Sequence, residues 1–195
     1  MATVKEKLKG AFDLTFLFGK GIQPFEAEGT KSHALKSMWI PAALYPLGVF
    51  MAWVYPPQGM HDGSYPFSQI FMTVTAAYLL GFFATLGFGW TFAYALKQRD
   101  RFWLFVQAGN WVSIPFTLVT LPIAAMMVFD VMPREEMDRI AVIITCYGFI
   151  VSGCVAYKAF RVPWELAGAL ACMTLFINQQ VWNALFYMQD IDLVW

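Results

Sequence analysis

Residues 67–96 have the sequence FSQIFMTVTAAYLLGFFATLGFGWTFAYAL, which contains no charged side chain. A helix of this length measures roughly 45 Å, whereas the hydrocarbon core of a bilayer is ~30 Å thick. The stretch therefore predicts a membrane-spanning helix that tilts or extends beyond the bilayer on its inner side. Charge-free stretches at residues 38–60, 102–129, 140–157 and 166–189 predict four more spans.

Composition places the chain among membrane proteins. Hydrophobic residues make up 59% of the 195-residue sequence and charged residues 13%, against about 25% charged residues in soluble domains. A soluble core of this size could not bury five such stretches. The formal net charge is zero, which excludes a general basic surface for nucleic acid.

The basic residues predict the orientation of the chain. If the amino terminus is cytoplasmic, most of the 13 Lys and Arg residues lie inside, and only Arg134 and Arg139 lie outside. Because positively charged loops resist translocation, this asymmetry predicts a cytoplasmic amino terminus and a periplasmic carboxyl terminus in a bacterial inner membrane. The inside residues would be Lys5, Lys7, Lys9, Lys20, Lys31, Lys36, Lys97, Arg99, Arg101, Lys158 and Arg161.

The predicted fold class is an all-α membrane protein with five transmembrane helices and an N-terminal interfacial amphipathic helix. Residues 1–36 form a cytoplasmic segment, residues 37–189 the five-helix domain, and residues 190–195 a short external tail. Within the first segment, residues 3–18 predict the amphipathic helix. Its polar stripe is Lys5, Lys9 and Asp13, and its apolar stripe is Leu8, Phe12, Phe16 and Leu17.

Connections between the spans follow from turn-forming and charged residues. Residues 56–66 are rich in Pro and Gly and lack Lys and Arg, which predicts the first external loop. The charged run Lys97–Arg101 predicts a tight inner turn. Residues 130–139 predict an acidic external loop, within which Pro133 and the following Arg-Glu-Glu indicate the first turn of the fourth helix.

No Asp, Glu, Lys, Arg or His side chain lies near the centre of a predicted span. Such groups mark proton relays and ion paths, so their absence argues against a proton-coupled transporter, an intramembrane protease or a voltage sensor. Glu165 lies at the start of the fifth helix, where a carboxylate stabilises the positive helix end. His33 and His61 fall on opposite sides of the membrane and cannot share a metal. No catalytic residue, metal or cofactor is predicted.

Amide side chains within the spans are the main polar feature. Gln107 and Asn110 lie in the third span, and a second group lies in the fifth. An amide facing lipid is costly, so these groups should face protein or water, and Gln179 and Asn183 should point into the bundle. They serve either as interhelical hydrogen bonds or as the lining of a ligand site. The ligand-binding candidates are Gln107, Asn110, Asn178, Gln179 and Asn183.

The third span and the turn after the fourth carry a family resemblance. The third contains AGNWVSIP at residues 108–115, in which Gly109, Trp111 and Pro115 resemble a Gly-aromatic…Pro pattern, and YKAFR at residues 157–161 resembles bacterial family members. Over residues 35–188 the chain is similar to the Yip domain family of five-span proteins, named for interacting with Rab-type GTPases. The Asp-Leu-Tyr-Gly-Pro motif of eukaryotic members does not occur here, so the resemblance implies the fold more than a GTPase partner.

These observations favour a non-enzymatic scaffold or organising subunit that binds membrane lipids and either a protein partner or a second copy of the chain. The alternative is a small-molecule or lipid transporter with an amide-lined interior, because kinked helices line transporter cavities. An enzyme is least favoured, since acid–base and nucleophilic groups do not gather. A water-accessible cavity that reaches Asn183 would favour transport, whereas a dry, closed bundle would favour the scaffold.

Overall fold

The computed structural model describes residues 2–54, 67–129, 131 and 133–190. These residues form helices and contain no strand, so the predicted all-α class is confirmed. The helices are α1 Val4–Thr15, α2 Gln23–Glu26, α3 Lys31–Ser37, α4 Trp39–Val54, α5 Phe67–Ala95, α6 Arg99–Val128, α7 Arg134–Phe160 and α8 Trp164–Asp190.

Among the described residues, four stretches of helix are long and apolar enough to cross a membrane. They are Lys31–Trp53, which combines α3 with most of α4, and Phe67–Ala95, Arg99–Met126 and Glu135–Phe160. Helix α8 has 27 residues but is not among the four, because its consecutive amides lower its hydropathy. The structure therefore supports a membrane protein with four candidate spans, and the fifth span stays a prediction.

The ends of the long helices lie close to the predicted positions. Helices α5 and α6 are separated by a turn in which Lys97 has a φ of 57°, and α7 ends at Phe160 and is followed by Arg161, whose φ is 51°. Pro133 caps the start of α7, as its position in the sequence predicted, and Glu135 and Glu136 occupy the first turn. Carboxylates there stabilise the positive end of the helix.

Two predicted regions lie outside the described residues. They are the first external loop at residues 56–66, which includes His61, and residues 191–195 of the predicted external tail.

The long helices form one bundle in which α6 is the central element. Helix α6 contacts α4, α5 and α7, while α8 packs between α5 and α7. The short helices α1, α2 and α3 all pack against α6 near one end of the bundle. We call this end, where α5 ends and α6 begins, the capped end.

Helix α1 is closed at its start by a capping box. The Thr3 hydroxyl accepts a hydrogen bond from the Glu6 amide at 3.2 Å, and the Glu6 carboxylate accepts one from the Thr3 amide at 2.7 Å. These two bonds satisfy backbone donors that have no partner within the helix. The hydrogen bond from the Thr3 backbone is the main reason that the pKa of Glu6 lies below its usual value.

The buried face of α1 differs from the predicted apolar stripe. Gly10, Ala11, Leu14 and Thr15 are buried, and the helix packs on α6 and α7. Phe16 and Leu17 follow the helix and are exposed. Small residues allow close approach of helices, so helix packing, rather than the largest apolar side chains, determines which face of α1 is buried.

Candidate functional site

Asn110 connects α6 to α3. It is 8% exposed, and its Nδ2 donates a hydrogen bond to Ser37 Oγ at 2.9 Å. Ser37 in turn donates to the carbonyl of Ala34 at 2.7 Å. The predicted role of this amide as an interhelical hydrogen bond fits these contacts, because both buried side chains are satisfied within the protein.

Gln107 lies about one turn before Asn110 on α6 and is bonded differently. It is only 1% exposed, yet its Oε1 has no hydrogen-bond partner among the described residues. An acceptor buried without a partner costs about 1–3 kcal/mol. Of the two candidate amides on α6, Asn110 is therefore hydrogen-bonded within the protein, whereas the Gln107 oxygen is not.

Asn178 joins α8 to α5. Its Nδ2 donates to Thr85 Oγ1 at 3.0 Å and to the Thr174 carbonyl at 2.9 Å. Its Oδ1 lies so close to Gly81 that a Cβ on Gly81 would collide with it. Glycine at this position allows α5 and α8 to approach closely enough for the amide to bridge them.

Gln179 and Asn183 do not point into the bundle, so this prediction is wrong. Both side chains are exposed, and Gln179 Nε2 donates to Asn183 Oδ1 at 3.0 Å within α8. The two residues lie one turn apart on a face of α8 that points away from the other helices. Each amide therefore satisfies part of the hydrogen-bonding capacity of the other. The five candidate amides therefore do not form a single site.

A largely apolar cleft lies between α5, α6, α7 and α8. It consists of two adjoining cavities of about 270 and 410 Å³. Gly109 and Ser152, which line both cavities, are exposed and mark the opening of the cleft to the surface of the bundle. We call these two cavities the central cleft. The lining residues that both share are Gly109, Val112, Ser113, Ser152, Ala171 and Thr174.

A second, polar pocket, which no pattern in the sequence predicted, lies at the capped end. It has a volume of about 260 Å³. We call it the capped-end pocket. It brings together side chains from α1, the α2–α3 connection, α3 and α6, namely Lys7, Glu28, His33, Lys36, Gln107 and Trp111.

Glu28 is the most buried charged residue of this pocket, at 3% exposure. Its carboxylate lies 2.5 Å from Lys7 Nζ and accepts a hydrogen bond from the Ala2 amide at 2.7 Å. His33 Nε2 lies 3.7 Å from the same carboxylate. The hydrogen bond from Lys7 is the main reason that the pKa of Glu28 lies below its usual value, and it outweighs the opposing effect of burial.

Basic residues near the ends of α6 and α7 fasten the N-terminal segment to the bundle. Arg101 Nη2 and Arg161 Nη2 lie 3.3 and 2.9 Å from Glu26 Oε1. Lys158 Nζ donates to the Phe18 carbonyl at 2.6 Å. These three cations, which are among those that predict the orientation of the chain, therefore also make specific contacts with the N-terminal segment.

Two sequence signals could have indicated this pocket. Lys7 falls on the helix predicted over residues 3–18, and Glu28 and His33 lie further along the cytoplasmic segment predicted over residues 1–36. Gly10 and Gly21 flank the intervening turn, and paired glycines indicate close backbone approach. No group of three or more His, Cys, Asp or Glu side chains suited to a metal occurs in the described ranges.

No protein-family model, curated protein or solved structure matches this chain. The resemblance to the Yip domain family therefore stays a prediction.

Proposed function

We propose that this chain is a non-enzymatic membrane protein of Yip-like, five-span architecture that organises the inner membrane by holding lipid in the central cleft. In this proposal α8 is the fifth span and the capped end faces the cytoplasm. Helices α5 and α6 have 29 and 30 residues. At 1.5 Å per residue both are well over the ~30 Å hydrocarbon core, so their ends at the capped end extend to the level of the lipid headgroups. Helix α1 then lies at the inner membrane interface.

The observation that carries the proposal is the size and lining of the central cleft. Helix bundles pack to high density, and apolar voids of hundreds of Å³ destabilise a protein unless they are filled. The lining is apolar apart from a few hydroxyl and amide groups, such as Ser113 and Ser152. A lipid acyl chain from the surrounding bilayer matches this surface and enters without crossing a polar barrier.

The rival transporter interpretation has less support. Asn183 does not line the central cleft, although Asn178 lines its larger cavity. At the capped end, the hydrogen bond between Asn110 and Ser37 separates the cleft from the polar pocket. A lipid-binding role therefore fits the lining of the cleft better than a water-accessible path that reaches Asn183.

Reporter fusions test the proposed topology. We expect a reporter that is active only in the periplasm to be active when it is placed after Trp195 and inactive when it is placed before Met1. The reason is the excess of Lys and Arg on one side of the spans. Detection of both termini on the same side would rule out five spans.

Substitution Gly109→Leu tests lipid binding in the central cleft. A Cβ on Gly109 would meet nothing within 4 Å, so leucine fills the cleft without a clash at its root. We expect the lipid that remains bound after detergent purification to fall at least twofold, as measured by mass spectrometry of extracted lipid. The fold should be kept, because leucine is favoured over glycine in a helix by roughly 0.5–1 kcal/mol.

Gly87→Leu is the matched control. Gly87 lies within α5, and a Cβ there also meets nothing within 4 Å, but the residue does not line the central cleft. Equal lipid retention by wild type, Gly87→Leu and a folded Gly109→Leu protein would contradict the proposal.

A further inference from the structure

The capped-end pocket contains more positive than negative charge. Lys7 and Glu28 form an ion pair and neutralise each other. Lys36 adds a positive charge, and His33 contributes a ring nitrogen, Nε2, that has no hydrogen-bond partner among the described residues. Two lysines against one carboxylate give the pocket a net positive charge, which favours an anionic ligand.

Gln107 adds a requirement that a simple anion does not meet. Its Oε1 is a buried acceptor without a partner in the described structure, and the residue lines the same pocket. Leaving this acceptor unpaired is unfavourable, and a fully deprotonated anion would be repelled by it. The pocket therefore suits an oxyanion that still carries a proton.

We propose that the capped-end pocket binds a phosphomonoester group, with Lys36 and Lys7 donating hydrogen bonds to its oxygens and its P–OH donating to Gln107 Oε1. The second pKa of a phosphomonoester is about 6, so roughly half of the group is the protonated monoanion at pH 6. Phosphodiesters and sulfate have no such proton at this pH. The group could belong to a phosphatidate headgroup or to a soluble phosphate.

The position of the pocket is suitable for either source. Lys36 and Trp39 lie at the start of a candidate span and line the pocket, and Lys and Trp are typical of the headgroup level. Gln107 lies eight residues after Arg99, the first residue of α6, which is roughly 12 Å along the helix. The pocket shares no lining residue with the central cleft. A failure of phosphate binding in the pocket can therefore be distinguished from a failure of lipid binding in the cleft.

The first test compares ligands on the purified full chain at pH 6. Inorganic phosphate and sulfate are titrated by calorimetry, and phosphatidate is compared with phosphatidylglycerol of the same acyl chains in nanodiscs. We expect phosphate to bind more tightly than sulfate and phosphatidate more tightly than phosphatidylglycerol. Binding of phosphatidate alone assigns the site to a lipid, and binding of phosphate alone assigns it to a soluble ligand. Absence of both preferences overturns the proposal.

The second test uses two substitutions on α3. Lys36→Gln removes a pocket cation, whereas Lys31→Gln removes a cation that lies over the Trp103 ring and does not line the pocket. We expect Lys36→Gln to bind the ligand about tenfold more weakly or worse. A hydrogen bond to a charged group contributes about 1.5–3 kcal/mol, which corresponds to that change in affinity. We expect Lys31→Gln to bind within about twofold of wild type, and equal losses in both variants would indicate only general attraction to anions.

Gln107→Leu separates a ligand contact from a structural role. Removing a buried acceptor without a partner should leave the thermal stability of the ligand-free protein unchanged or higher. The preference for phosphate over sulfate should nevertheless fall towards unity. A Gln107→Leu protein that keeps the full preference would overturn the assigned role of the P–OH group.

Discussion

Alanine in place of Gly21 should release the N-terminal segment from the bundle. A Cβ on Gly21 would lie 2.7 Å from the Gly10 carbonyl oxygen and 2.7 Å from the Leu14 amide nitrogen. Both contacts are with backbone, which cannot rotate away as a side chain can. Overpacking of this kind costs about 1–3 kcal/mol. We expect much faster hydrogen exchange across α1 and faster tryptic cleavage at Lys7 and Lys9.

Gly19→Ala is the control for this prediction. Gly19 lies in the same turn, and a Cβ there meets nothing within 4 Å. Both variants change glycine to alanine within the same connection, so their effects on the unfolded chain should be similar. If exchange in α1 is as slow in Gly21→Ala as in Gly19→Ala, the close contact between Gly10 and Gly21 does not hold the segment in place.

Substitution Glu28→Gln should have the second large effect. It leaves the Lys7 ammonium, whose side chain is 14% exposed, without its counter-charge. Loss of a buried charged interaction of this kind is worth about 2 kcal/mol. Glu26→Gln is the matched control, because Glu26 pairs with Arg101 and Arg161 at a more exposed position, where an ion pair contributes roughly 0–1 kcal/mol. Thermal unfolding in detergent measures both changes.

The pH dependence of docking gives an independent check on Glu28. Its pKa in the folded protein is lowered from 4.5, so the folded state favours the carboxylate. The resulting stability is present above pH 4.5 and is lost as the pH falls through the lower folded pKa. We expect the protection of the α1 amides, which is their exchange rate relative to that of the unfolded chain at the same pH, to fall upon acidification in the wild type and to change less in Glu28→Gln. An equal loss of protection in both proteins would indicate that another group controls docking.

The long helices could be predicted from the sequence because the signal is local. Residues 67–96 contain no charge, and the charged turn Lys97–Arg101 marks where the helix must end. The start of α7 could also be predicted, since Pro133 and two glutamates favour a helix N-terminus. Such features depend on neighbours within a few residues and do not require knowledge of packing.

The polar sites could be predicted only in part, because they depend on which face each helix presents. Gln107 and Asn110 were identified as candidates, but only the packing of α3 on α6 shows that Asn110 is satisfied and Gln107 is not. Asn183 was expected to face inward, yet α8 turns that face away from α5 and α7. Lys7 and Glu28 are too far apart in the sequence for a local pattern to predict that they form an ion pair.

The N-terminal segment docks on a helix that is synthesised much later than the segment itself. Tyr147 on α7 donates a hydrogen bond to the Thr15 carbonyl at 2.5 Å, and Lys158 reaches the Phe18 carbonyl. These partners are separated by more than a hundred residues of intervening chain. A ribosome adds about 5–20 residues each second, so α1 leaves the exit tunnel several seconds before α7 exists. The first helix to be synthesised is therefore among the last to reach its final position, and it must wait until the helices that receive it have been made.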